Sequence, residues 1–379
     1  MNEQVEKLLT STSNETFTTV ARGVLGDQSA TLVGKPTFTE ITASHNDART
    51  IGIVIVAGTA SINAAKQKWS SVVKVIDTQA ESGEAAIWVS PENEAKIYEL
   101  GLFADADLSL RPAKAYSVET RDDRFSLLWL EDLSAAPQPP WMPDHLMNAA
   151  KHLGQFNGFH ARQQTKLPLE LGRDGFYTRW SNPEQLRKFE QLIDAKNDEH
   201  VAVAWGDTPV ESGLELAVLF DRLLEKAKNL PHGLAFGDSH SRNMFPVGSS
   251  TVGIDWAGMS YEPFGCDVGV LAGSALTFGI DEAERGIENE PHVFASYIEG
   301  LKSAGWNGET DHVRIGYFAQ FIGYLCAIGH APIWIFEDES RRPFLEKRLG
   351  VKLEEVPKQM SPIVALIPKY VDELKGLLD

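Results

Sequence analysis

Asp238, Asn243 and Asp255 are the residues of this 379-residue chain whose types and spacing could do chemistry together. They fall in Leu234-Ala235-Phe236-Gly237-Asp238-Ser239-His240-Ser241-Arg242-Asn243-Met244-Phe245 and, a short hairpin later, in Val252-Gly253-Ile254-Asp255-Trp256. Asp238 and Asn243 are five positions apart on one loop and can face one site. Asp255 returns at the end of an apolar strand, after the turn Pro246-Val247-Gly248-Ser249-Ser250. Phosphoryl transfer gives this pattern a physical reason. The transferred group is anionic, so Mg2+ must neutralise developing charge, and it takes hard oxygen ligands. An Asp and an Asn oxygen can hold that ion, while a second Asp, off the metal, orients and deprotonates the attacking hydroxyl.

Gly237-Asp238-x-His240-x-x-Asn243 followed by Ile254-Asp255-Trp256 resembles the aminoglycoside phosphotransferase and choline kinase family, relatives of the protein kinases. The resemblance implies an α+β, bilobal, protein-kinase-like fold that uses ATP and Mg2+ to phosphorylate a hydroxyl of a small molecule. Carried over residue by residue, Asp238 is the catalytic-loop acid, and Asn243 and Asp255 are the metal ligands. Gly265-Cys266-Asp267 also fits, with Asp267 a structural hydrogen-bonding acid. Lys74, in Val72-Val73-Lys74-Val75-Ile76, resembles the strand lysine that reaches the nucleotide phosphates. Glu94, 20 residues later in Asn93-Glu94-Ala95-Lys96-Ile97-Tyr98, resembles the helix glutamate that pairs with it. Gly58-Thr59-Ala60-Ser61 stands where the phosphate-covering loop belongs, with Gly58 and Ser61 as its nucleotide contacts. Leu128-Trp129-Leu130-Glu131-Asp132-Leu133 resembles the hinge, where Trp129 and Glu131 would meet the adenine through the backbone. Ala150 to Ala161, with His160, resembles the next helix of the large lobe, so the likeness runs over residues 50–280. One departure is Phe236, where the family usually has His; it reads as a packing position under the loop.

The elements that must position these groups are readable. Ile51–Val56, Ser71–Ile76 and Ser126–Leu130 are β-branched or apolar runs that predict strands, with a hairpin turn at 66–70. Ser90-Pro91-Glu92 predicts a helix start, with Ile97, Tyr98 and Leu100 as its apolar stripe. Three prolines in Pro137-Gln138-Pro139-Pro140 break the chain. They divide a nucleotide-binding lobe, residues 1–133, from a helical lobe with the catalytic loop and substrate site, residues 134–379; residues 1–45 are an extension of open role. Helical periodicity follows over 143–163, 182–195, 211–229, 282–303, 311–329 and 340–375, the last interrupted near Pro357, Pro362 and Pro368.

Hydrophobic residues make up 43% and charged residues 23%, an ordinary globular balance. The net charge of −18 argues against a nucleic-acid partner. Cys266 and Cys326 are too few for a disulfide framework or a four-cysteine zinc site. The polar start Met1-Asn2-Glu3 is no signal peptide, and Ile51–Gly58 is too short to cross a bilayer, so no membrane role and a cytoplasmic location are expected. Plainer readings stand beside the chemical ones. Lys74 could be a solvent-facing strand lysine, Glu94 a first-turn charge favoured by the helix dipole, Asp238 and Asn243 turn formers, Asp255 a turn cap and Gly58 a strand-end glycine. His240 could orient Asp238 or the metal, or bond a loop carbonyl, and Arg242 reads as a solvated or salt-bridged residue. Asp281, Glu282 and Glu284, with Glu288 and Glu290, read as a solvated helix face. A Gly-Asp-Ser esterase with Ser239 as nucleophile lacks an Asp-x-x-His to serve it. A nucleotide-binding pseudokinase would have no need of the full set of five residues. The acceptor is expected to carry an amine or resemble a sugar, an amino sugar or aminoglycoside for example. Glu337-Asp338-Glu339 and the rings of Trp180, Trp306 and Trp334 are candidate contacts.

Overall fold

The computed structural model describes residues 1–41, 49–80, 92–101, 103, 108–168, 184–278, 280–336, 340, 342–349 and 351–379. The chain divides into two compact units. The first holds residues 1–107, 111–136 and 252–258; the second holds the rest.

The first unit begins with two helices, α1 (Glu3–Thr10) and α2 (Asn14–Leu25). Each is started by a side-chain cap: Asn2 Oδ1 accepts from Gln4 N at 2.9 Å, and Ser13 Oγ accepts from Thr16 N at 3.1 Å. α2 stops at Gly26, whose left-handed φ of 66° a residue with a Cβ adopts only with strain. Strands β1 (Thr31–Leu32), β2 (Thr37–Glu40), β3 (Thr50–Ile62) and β4 (Ala65–Asp77) follow. After α3 (Glu92–Glu99) come β5 (Leu110–Pro112), β6 (Ala115–Arg121) and β7 (Phe125–Glu131). One antiparallel sheet runs β1-β3-β4-β7-β6, with β2 also paired to β3. Val54, Val56, Val73, Val75, Leu127 and Trp129 form a core with Val5, Leu8, Leu9, Phe17 and Val20 from the two helices. Residues 3–25 are therefore the cover of one sheet face, a role the sequence left open.

Three expectations are corrected here. The hairpin turn is not at 66–70: Ile62 pairs with Ala65, and Asn63 and Ala64 take φ of 50° and 67°, the positive values a two-residue hairpin loop of right-handed strands demands. Lys66–Ser70 are strand residues. Gly58 and Ser61 are likewise within β3, paired with Trp69 and Lys66, and do not form a loop. Gly58 is explained by packing, because a Cβ there would lie 2.9 Å from the Trp69 indole. Leu100 lies past α3 and is exposed, so the apolar face of that helix is carried by Ala95 and Ile97.

The second unit is mainly helical. It contains α4 (Pro143–Gln163), α5 (Glu184–Asp194), α6 (Glu199–Trp205) and α7 (Glu211–Ala227). Short strands follow: β8 (His232–Ala235), β9 (Met244–Val247), β10 (Ser250–Gly253), which carries the chain into the first unit, and β11 (Ser260–Pro263), paired with β8. The remainder is α8 (Cys266–Ala275), α9 (Ile280–Ser303), α10 (Thr310–Trp334), α11 (Arg342–Leu349), α12 (Val356–Val364) and α13 (Ile367–Leu378). Glu290 is not on a solvated face: it is buried and pairs at 2.5 Å with Arg314, which also holds Glu373 at 2.8 Å and lies against Phe294, Tyr317 and Phe318. Among the described residues, no helix is long and apolar enough to cross a membrane. Gly58→Ala is predicted to lower stability by about 1–3 kcal/mol through the Trp69 clash. Urea unfolding would show it as a lower midpoint, with ATP affinity per folded molecule unchanged.

Candidate active site

In the first unit, β4 pairs with both β3 and β7, so Lys74 sits mid-sheet and is buried. Its Nζ donates to Glu94 Oε2 at 2.7 Å and to Asp255 Oδ1 at 3.0 Å. Glu94, fully buried on α3, uses its other oxygen to accept from Asp255 N at 2.9 Å and Trp256 N at 3.4 Å. Asp255 takes φ of 60°, a left-handed conformation uncommon for a residue with a side chain. The bond to Glu94 and the bond from Trp256 Nε1 to Gly253 O at 2.9 Å hold the backbone there. Burial alone would push the Lys74 ammonium down, but the Asp255 and Glu94 carboxylates outweigh it and drive it above the ordinary lysine value. Burial pushes the Glu94 carboxyl up against the pull of Lys74. Its surroundings, an ammonium and two N–H donors, are those of an ionised carboxylate. The plainer reading of Lys74 as a solvent-facing strand lysine does not hold, and Glu94, in the first turn of α3, is buried and paired.

The hinge residues are placed differently from each other. Trp129 is fully buried, its indole edge-on to Phe17 at 5.7 Å, so its side chain belongs to the core. Glu131 accepts a bidentate pair from Arg111 at 2.6 and 3.0 Å and a bond from Lys114 N at 3.1 Å. Burial opposes it, but Arg111 and that N–H hold the Glu131 carboxyl below its usual range. These side chains are committed, and the Glu131 N–H donates to Lys114 O at 2.9 Å.

In the second unit, the loop 236–243 leaves β8 and is tied to one buried carboxylate. Asp267, in the first turn of α8, accepts from Phe236 N at 2.9 Å, Gly237 N at 2.8 Å and Asn157 Nδ2 at 2.9 Å. Burial pushes its carboxyl up while these donors pull it down. Asn157, on α4, also donates to Leu234 O at 2.8 Å and accepts from Tyr297 Oη at 2.7 Å. The expectation for Asp267 named neither Asn157 nor Tyr297; only the inward face of α4 could have hinted at the former. Gly265, at φ 103°, precedes α8 where a Cβ would lie 2.1 Å from Val313 O. Phe236 is fully buried. Ser239 is buried with Oγ donating to Asp267 O at 2.6 Å, so it is no exposed nucleophile. At the loop's far end, Asn243 Nδ2 donates to Asp238 O at 3.1 Å and Asp238 Oδ2 at 3.0 Å. Arg242 is exposed, as a solvated residue would be, and its guanidinium also stacks 3.7 Å over the Phe278 ring.

The donor chemistry fits a hard cation. Asn243 points its nitrogen at Asp238, which leaves Oδ1 as its ligand atom, and the Asp255 side chain is 44% exposed. Among the described residues no group of three His, Cys, Asp or Glu forms a ready-made cage. Mg2+ needs none, since it is commonly held by one or two protein oxygens plus phosphates. His160 is committed to Thr165 at 2.9 Å, and burial pushes its imidazole down to about 4. Trp306 lies against Phe264 at 6.2 Å. Trp180, Glu337–Glu339, Ser90 and Pro91 are outside the described residues.

The profile of a phosphotransferase enzyme family, APH, matches residues 105–305, more than half of the chain. No curated protein matches the sequence. Among solved structures, a spectinomycin phosphotransferase in complex with ADP and spectinomycin is 15% identical at a TM-score of 0.50, covering 90% of this chain and 94% of its own. An amicoumacin kinase in complex with AMP-PNP and Ca2+ is 13% identical at a TM-score of 0.48, covering 87% and 89%. A choline kinase from Cryptosporidium parvum Iowa II is 10% identical at a TM-score of 0.48, covering 97% and 98%. The fold is the expected one: α+β, bilobal and protein-kinase-like. Asp267→Ala is predicted to strand three buried donors and destabilise by about 3 kcal/mol or more. A fall in the denaturation midpoint measures it; an unchanged midpoint contradicts the anchoring role.

Proposed function

We propose that the chain, a member of the APH phosphotransferase enzyme family, is an ATP- and Mg2+-dependent small-molecule kinase that phosphorylates a hydroxyl group. It moves the γ-phosphoryl of ATP to an amine-bearing or sugar-like acceptor. The observation that carries this reading is the convergence of Lys74 on Glu94 at 2.7 Å and on Asp255 at 3.0 Å. A buried ammonium held this way is a fixed cation suited to the α- and β-phosphates. The net charge of −18 suits a cationic acceptor. The free, buried thiols of Cys266 and Cys326 suit a reducing cytoplasm.

Each residue then has one task. Lys74 holds phosphate oxygens, and Glu94 fixes Lys74 and the Asp255 backbone. The backbone at Glu131 and beyond meets the base. Asn243 and Asp255 would hold Mg2+, which supplies charge neutralisation on the phosphoryl oxygens when bound. Asp238 orients the acceptor hydroxyl and takes its proton. Gly58 and Ser61, paired within β3, take no part.

The experiment is a phosphoacceptor screen with Mg2+ and ATP over amino sugars, sugars, aminoglycosides, choline and macrolides, read by coupled ADP release. Asp238→Ala is expected to lose about 10²–10⁴-fold in turnover with nucleotide binding retained. Near wild-type transfer by a folded Asp238→Ala would refute the assignment.

A further inference from the structure

The two oxygens of Asp238 are not equivalent. Oδ2 accepts from Asn243 Nδ2 at 3.0 Å and lies 3.6 Å from His240 Nε2. No donor among the described residues reaches Oδ1. The other nitrogen of the same imidazole, Nδ1, accepts from Arg242 N at 3.2 Å. A ring nitrogen that accepts carries no proton, so the proton of the neutral imidazole is on Nε2, the nitrogen that faces Asp238. Phe278, in the stretch between α8 and α9, holds both partners. Its ring is edge-on to His240 with centroids 5.5 Å apart at 76°. The Arg242 guanidinium covers its face at 3.7 Å, and Arg242 Nη2 donates to Phe278 O at 3.5 Å. The Arg242 N–H is thereby carried to Nδ1 by a residue anchored outside the loop.

We propose that His240, fixed as its Nε2–H tautomer by the Arg242 backbone and the Phe278 ring, is a positioning residue that occupies Oδ2 of Asp238 and reserves Oδ1 for the proton of the acceptor. The inference rests on the kinase reading above and adds which carboxylate oxygen does the work. An oxygen that receives the Asn243 hydrogen bond at 3.0 Å and faces the His240 N–H at 3.6 Å is the poorer base, because both stabilise its charge. In the transfer step the acceptor O–H bond breaks and its proton goes to Oδ1. The acceptor oxygen forms the new P–O bond to the γ-phosphorus as the bond to the β–γ bridging oxygen breaks, and ADP leaves. The proton on Asp238 then passes to solvent. The 3.6 Å between Nε2 and Oδ2 is longer than a hydrogen bond, so the contact is electrostatic, an N–H facing a carboxylate oxygen.

Two measurements test this. Long-range 1H–15N spectra of 15N-histidine-labelled protein, with the resonance identified by its loss in His240→Gln, report the tautomer without any substrate. The expected result at a pH where the ring is neutral is a protonated Nε2 and an unprotonated Nδ1. A proton on Nδ1 overturns the proposal. Steady-state kinetics then use the acceptor identified by the screen. His240→Gln places an amide N–H where Nε2 stood and is expected to keep kcat within about 3-fold, whereas His240→Asn cannot reach Asp238 and is expected to lose about 10²-fold in kcat. The KM for ATP stays unchanged in both. Phe278→Leu, which removes the ring but not the donor, is expected to fall between them. Equal losses in the Gln and Asn variants, or a rise in the KM for ATP with kcat intact, refute the positioning role. If wild-type protein transfers phosphate to no acceptor, the kinase reading fails, and the tautomer measurement still decides the geometry of His240.

Discussion

An ammonium withdrawn from water is unfavourable by several kcal/mol unless carboxylates replace the lost hydration. Lys74 is buried in the middle of a sheet and meets that requirement with two, Glu94 on α3 and Asp255 beyond β10. The requirement fixes more than the side chains. Glu94 has one oxygen on Lys74 and the other on the backbone of Asp255 and Trp256, so the helix, the sheet and the 252–256 segment hold one another in register. The left-handed backbone of Asp255 persists because those bonds over-determine it. The charged cluster is costly to assemble, and on the proposed reading an anionic ligand uses it.

The second unit applies the same device without a counter-ion. Asp267 gathers two backbone N–H groups and an amide into the interior, and so dictates how the chain leaves β8 and presents Asp238. In each unit a fully buried carboxylate aims backbone rather than substrate. Asp238 and Asp255 are more exposed than these two carboxylates, with side chains 27% and 44% accessible. Precision in the second unit then extends outward through Asn243, His240 and Phe278, each touching the next.

The candidate residues stand out in the sequence because the reaction they are proposed for restricts their types and spacing. Lys74, Glu94, Asp238, Asn243 and Asp255 sit in dense local patterns, and the strands and long helices around them follow apolar periodicity. What was missed lacks that signature. The helices at 3–25 are short and polar-faced. The hairpin turn carries Asn63-Ala64 rather than the Asn-Gly that would have marked it, and the lysines at 66 and 68 mimic a turn while lying in strand. Gly58 was ambiguous because a glycine required by a cross-strand indole and a glycine required by a phosphate look alike in sequence. Asn157, Tyr297 and Phe278 become visible only in three dimensions, since each acts across more than thirty residues of chain.

Calorimetric titration of ATP with Mg2+ into wild-type protein, Lys74→Met and Asp255→Asn addresses the paired ammonium most directly. Wild type should bind one nucleotide, Lys74→Met should lose most of that affinity while still folding, and Asp255→Asn should lose the increment that Mg2+ provides. Equal affinity in all three would mean that the buried lysine and its carboxylates serve the fold alone.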